Sequence, residues 1–156
     1  MNIFARSVTL SLQFVVVAAT LGACSNDPDD TALPVVAVGQ SLVGTCLDFP
    51  ADTGAEIDSL PRIDCAEAHT HEVFAVIDST ADNYPGFDAL EAEAQVACLD
   101  AFEPYVGINS FDSVLFADWL VPTLTSWDRS DDREIICLAG NHDGAPLVGT
   151  VKDTRA

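Results

Sequence analysis

The sequence predicts an α+β domain in which one main helix packs on a mainly antiparallel sheet of about five strands, held by two disulfides. Three observations lead there. Apolar residues repeat at helical spacing from Asp88 to Val106. Several short apolar stretches, rich in β-branched residues, alternate with Pro-, Gly- and acid-containing turns. Five cysteines stand in 156 residues, four of them well separated inside the domain. The chain is 49% hydrophobic and 20% charged, enough apolar surface for a core despite a net charge of −19. With 6 basic against 25 acidic side chains, nucleic-acid binding through a basic face is excluded.

At the N-terminus, Arg6 precedes an apolar stretch, Val8 to Leu21, and no acid occurs before Asp27. That is the layout of an export signal. The stretch is shorter than the about twenty residues a membrane span needs and is broken by Thr9, Ser11 and Gln13. It ends in Leu21-Gly22-Ala23-Cys24, which resembles the bacterial lipobox, whose cysteine carries diacylglycerol and becomes the first mature residue. The expected organisation is a lipoprotein signal peptide over 1–23, a lipid-anchored tether over 24–39 and an extracytoplasmic domain over 40–156. An ordinary secretory signal or an uncleaved anchor is the bland alternative. The tether, with Asp27, Asp29 and Asp30, is repelled by anionic headgroups and holds the domain off the bilayer.

Within the domain, Ser41 to Phe49 reads as a strand and Pro50 to Pro61 as a loop. Glu72 to Asp78 is a second strand, and Tyr84-Pro85-Gly86 turns the chain. The helix then starts with Asp88 as N-cap and Glu91 three residues on. Leu90, Ala94, Ala97, Ala101 and Tyr105 form its apolar stripe, with Cys98 and Phe102 beside them. Pro104 distorts its last turn and Gly107 ends it. Ser113 to Val121, Arg133 to Ala139 and Pro146 to Val151 are further strand candidates.

Setting Cys24 aside as the lipid anchor leaves Cys46, Cys65, Cys98 and Cys137, an even set in an exported domain. Four cysteines allow three pairings. Sequential pairing, Cys46–Cys65 and Cys98–Cys137, is favoured and closes loops of 19 and 39 residues, stabilising by about 3 and about 4 kcal/mol. No CxxC spacing supports a zinc ribbon.

A set of short motifs accompanies these cysteines. Val43-Gly44-Thr45-Cys46-Leu47, Ile63-Asp64-Cys65 with His69, His71-Glu72-Val73-Phe74, Tyr84-Pro85-Gly86, Cys98 with Tyr105, and Pro122-Thr123 with Trp127, Arg133 and Cys137 occur in this order. Together they resemble the septum-formation domain of actinobacterial envelope proteins, over about residues 40 to 140. In that family Cys-x-x-x-His is followed by an acid-Val-Phe strand, here Cys65, His69 and Glu72-Val73-Phe74. Where the family has Gly-Asp before the arginine, this chain has Asp131-Asp132. The resemblance implies a membrane-attached extracytoplasmic domain of division or envelope assembly, without established catalysis.

Candidate chemistry is sparse. His69 and His71, two apart on a strand, would share a face and could hold Zn²⁺ or Cu²⁺, with His142-Asp143 as further ligands; the alternative is a backbone-bonded His69 and a solvated His71. Asp128, Asp131, Asp132 and Glu134 surround Arg129 and Arg133, but no EF-hand loop is present, and a solvated turn with offset charges is favoured over Ca²⁺. Trp119 and Trp127, with Phe116 and Tyr105, are either core or an aromatic patch for a partner. No GxSxG, HExxH or SxxK occurs. The expectation is therefore a non-enzyme without cofactor, held on the extracytoplasmic face of the cell membrane by lipid on Cys24, with an envelope or division protein as partner.

Overall fold

Residues 35–37, 43–49 and 59–156 are described by the computed structural model. Residues 1–23, read as a signal peptide, Cys24 and most of the stretch read as a tether lie outside the described residues. Among those described, no helix is long and apolar enough to cross a membrane.

The elements run β1 (Val35–Ala37), β2 (Cys46–Leu47), β3 (Ser59–Ile63), β4 (His71–Asp78), α1 (Phe87–Val106), β5 (Leu115–Leu120), α2 (Leu124–Ser130) and β6 (Glu134–Asn141). Every pairing is antiparallel, in the order β1-β3-β2-β4-β6-β5. Strands β2 to β6 make the expected antiparallel sheet of five, and β1 extends it along β3. The sheet thus reaches back to Val35, inside the stretch read as tether.

Alternation along the strands gives the sheet two apolar faces. One, with Phe74, Leu115, Ile135, Cys137 and Ala139, is packed with Ala94, Cys98, Phe102 and Val106 of α1. The other gathers Leu47, Val73, Ile136 and Leu138. The β4–β6 register shifts between Val73 and Ala75, so two consecutive residues, Phe74 and Ala75, both contribute to the helix-side core. Both bridges form in the sequential pairing, with Cα–Cα distances of 5.3 Å for Cys46–Cys65 and 5.5 Å for Cys98–Cys137. The second staples α1 to β6.

Several local expectations are corrected. Strand β2 keeps two residues of the predicted Ser41–Phe49 strand. Strand β3 begins inside the predicted loop. Its Pro61 faces only β1, because β2 pairs with Arg62 and Ile63, so the missing N–H interrupts no second ladder. Helix α1 starts at Phe87 with Gly86 as an N-cap that makes no side-chain bond, so Asp88 is already inside the helix. Farther along the helix, Glu93 accepts from Ser79 Oγ at 2.7 Å and Thr80 N at 3.1 Å. Gly107 ends the helix in the left-handed region at φ 89°. Helix α2, unforeseen, has a reciprocal capping box between Thr123 and Ser126; serine in place of the usual Glu or Gln at the third position hid it. Instead of a last strand, Leu147 makes one isolated bridge to His69.

Candidate functional site

Glu72 is the second residue of β4 and is fully buried. Burying a carboxylate is costly unless donors surround it. Three do. Its Oε1 accepts from Tyr105 Oη at 2.6 Å and Thr150 Oγ1 at 2.7 Å, and its Oε2 accepts from the Val151 N–H at 2.7 Å. These partners come from the end of α1 and from the C-terminal segment, far from Glu72 in sequence. Burial, the bond donated to Glu72 and the charge of Glu72 push the Tyr105 phenol well above its ordinary pKa, so Tyr105 stays a donor.

The same C-terminal segment is fastened along its length. His69 and Leu147 exchange both backbone bonds, at 3.0 and 2.7 Å, and Gly149 N donates to Cys65 O at 2.6 Å. Farther on, Asp153 N reaches Tyr105 O and Arg155 N reaches Val106 O, each at 2.9 Å. Leu147 and Val151 enter the helix-side core. Glu72 is thus the polar anchor of a strap running from the disulfide Cys46–Cys65 to the end of α1.

His69 lies against that anchor, 1% exposed. A ring nitrogen of His69, a Glu72 oxygen and Cys46 Sγ all lie within 4.8 Å of one another. Its Nδ1 is bonded to Glu67 O at 2.8 Å, leaving Nε2 buried without a partner. Cys46 is oxidised, and a disulfide sulfur is not the thiolate a metal requires.

His71 is on the opposite side of the sheet from Glu72, as neighbours along a strand must be. It stands opposite Gly140 and Leu47, and Phe116 stands opposite Gly140 in turn. Its ring meets Phe49 edge-on at 4.7 Å and Phe116 at 5.9 Å. A Cβ at Gly140 would come within 2.8 Å of Phe116 and 2.9 Å of His71, so glycine there makes room for both rings. Burial lowers the His71 pKa, with Asp118 acting against this and His69 adding to it. The expected shared face of His69 and His71 therefore fails, because β4 begins only at His71, after a bend at Thr70. His142 is exposed and packs on Phe116 at 5.5 Å, on the His71 side.

Trp127, expected as core or partner patch, is 4% exposed. Arg133 lies 3.8 Å over its ring and donates to its carbonyl at 3.1 Å, while Tyr84 packs edge-on. Trp119 is half-buried against the helix-side core.

The septum formation family matches residues 35–137, well over half of the chain. The chain belongs to that family. No curated protein and no solved structure matches it significantly.

The septum-formation match runs from β1 through the second bridge and takes in Glu72, His69 and Tyr105, but it stops before Thr150 and Val151. Two of the three donors to Glu72, from Thr150 and Val151, therefore come from beyond the matched region, while Tyr105 lies within it. The Asp131-Asp132 departure also has a geometric answer. Asp131 takes the left-handed conformation at φ 53° as the C-cap of α2, the place where glycine is at ease and aspartate is tolerated. It pairs with Arg133 at 2.8 Å, and Asp132 Oδ1 accepts from Glu134 N at 3.1 Å. Asp131 and Asp132 are thus used in turn geometry.

Sequence reasoning missed Glu72 as a site residue, although the signal was there: an acid opening an apolar, β-branched strand directly after two histidines. Thr150 carried no comparable signal.

Proposed function

We propose that this chain is a non-catalytic, lipid-anchored module on the extracytoplasmic face of the cell membrane that takes part in septum formation by binding an envelope or division protein. Membership of the septum formation family supports a role in septum formation and an envelope location. That match is the observation that carries the reading. The lipobox ending in Cys24 supports the anchor, since two or three acyl chains, at about 0.8 kcal/mol per buried CH₂, hold a protein where one does not. Two disulfides suit an oxidising compartment. A structural rather than catalytic use of Glu72 is supported by its three donors, all from the chain itself.

Depletion of the chain tests this reading. The expected result is delayed or misplaced septa, restored by the wild-type chain and by a Glu72→Gln chain that still folds, but not by a Cys24→Ser chain. Normal septa after depletion, or full rescue by Cys24→Ser, would remove the proposal.

A further inference from the structure

The corner formed by Cys46, Cys65, His69 and Glu72 contains more chemistry than the strap requires. We propose that reductive opening of the Cys46–Cys65 disulfide turns it into a zinc site, with Cys46 Sγ, Cys65 Sγ, His69 Nε2 and Glu72 Oε2 as ligands. The oxidised bridge masks the site and the reduced pair creates it.

Four observations support this. Ligand atoms of Cys46, His69 and Glu72 are within 4.8 Å of one another before any metal arrives, and Cys65 Sγ is bonded to Cys46 Sγ. His69 is 1% exposed with Nε2 unpartnered. Its Nδ1 is held by the Glu67 carbonyl at 2.8 Å, the arrangement in which metal-ligating histidines fix their tautomer and present the other nitrogen. A carboxylate offers about four lone-pair positions; the Tyr105, Thr150 and Val151 donors use three, leaving one on Oε2. Thiolate, imidazole and carboxylate ligands suit zinc, and Zn–S bonds of about 2.3 Å at tetrahedral angles set two sulfurs about 3.8 Å apart. Freed sulfurs need to part by only about 2 Å from bonding distance.

The redox step balances with a dithiol reductant. Its thiolate attacks Cys65 Sγ, which is half-buried while Cys46 is 1% exposed, and Cys46 leaves as a thiolate. The reductant's second thiol then displaces Cys65 and departs as a disulfide, so two electrons pass to the protein. Zn²⁺ binds both sulfurs as thiolates and releases their protons. Cys98 and Cys137 are 0% exposed, which protects the other bridge from the same attack.

The test uses the full chain in detergent, treated with a phosphine reductant and titrated with Co²⁺ as the spectroscopic stand-in for Zn²⁺. Two thiols, mapped to Cys46 and Cys65, should appear. The reduced chain should take up one Co²⁺ with thiolate-to-metal charge-transfer absorption, displaced by Zn²⁺, and the oxidised chain should show none. His69→Ala or His69→Gln should weaken uptake by about tenfold or more. A reduced chain that unfolds with the Cys98–Cys137 bridge intact and refolds on adding Zn²⁺, by circular dichroism, also supports the proposal. Simultaneous opening of both bridges, absence of one-to-one Co²⁺ uptake, equal uptake by the oxidised chain, failure of Zn²⁺ to refold an unfolded reduced chain, or a spectrum indifferent to both His69 variants would each overturn it.

Discussion

Replacing Glu72 separates a structural anchor from a group that is merely buried. In Glu72→Leu the Tyr105 hydroxyl and the Val151 N–H lose their acceptor while 9% and 5% exposed. Each stranded donor costs about 1–3 kcal/mol. Thr150 is exposed and can turn to water, so the expected loss is about 2–6 kcal/mol, a large part of a small domain's about 5–15 kcal/mol. Glu72→Gln behaves differently. With the amide oxygen toward Val151 N and the NH₂ toward Oε1's place, it meets two hydroxyls that can accept, and loses mainly charge assistance, about 1–2 kcal/mol. Tyr105→Phe should cost a similar amount. Urea unfolding of the oxidised chain gives these values from the midpoint at unchanged slope. Hydrogen exchange should show the Leu147–Arg155 strap opening first in Glu72→Leu. If Glu72→Gln proves as damaging as Glu72→Leu, or if Leu costs under about 1 kcal/mol, the hydrogen-bond reasoning is wrong.

Other predictions concern separate places. Gly140→Ala should cost about 1–3 kcal/mol by forcing the Phe116 and His71 rings off their positions, and a paired Phe116→Ala change should relieve the clash in a double-mutant cycle. His71 is held below its unfolded pKa, so the unfolded chain binds the extra proton first; stability should be full above about pH 6.5 and fall as pH drops from there toward the lower folded value. The wild-type minus His71→Phe difference in urea midpoint should follow that slope, and a flat difference would count against burial of this ring. Trp127→Ala removes the surface on which Arg133 and Tyr84 rest and should cost about 3–5 kcal/mol in thermal or urea unfolding; a loss below about 1 kcal/mol would mean the α2 corner adds little. Asp131→Val should destabilise by about 1–2 kcal/mol through the left-handed backbone, whereas Asp131→Gly should stay close to wild type.

What the sequence made legible follows from how local each signal is. The α1 stripe, the β4 and β6 strands and the sequential bridges were readable because periodicity and cysteine spacing act within short windows. Buried Leu90, Ala94, Cys98, Phe102 and Tyr105 lie on the expected face. Pro61 misled because its cost depends on whether a strand lies on its second side, which only topology decides. Asp88 misled because Gly86 opens the helix earlier through backbone geometry. His69 and His71 were paired by a two-residue strand rule that does not hold across the bend at Thr70. Glu72 became a site only when Thr150 and Val151, about half the chain away, were brought onto it.

The measurement that bears most directly on the account is the fate of Cys24. Cells fed a labelled fatty acid should yield a labelled chain that fractionates with membranes and is released only by detergent, while Cys24→Ser should be unlabelled and lost from the processed membrane-bound fraction. A Cys24→Ser chain that is still cleaved and still membrane-bound, or a wild-type chain without label, would contradict a lipid-held module.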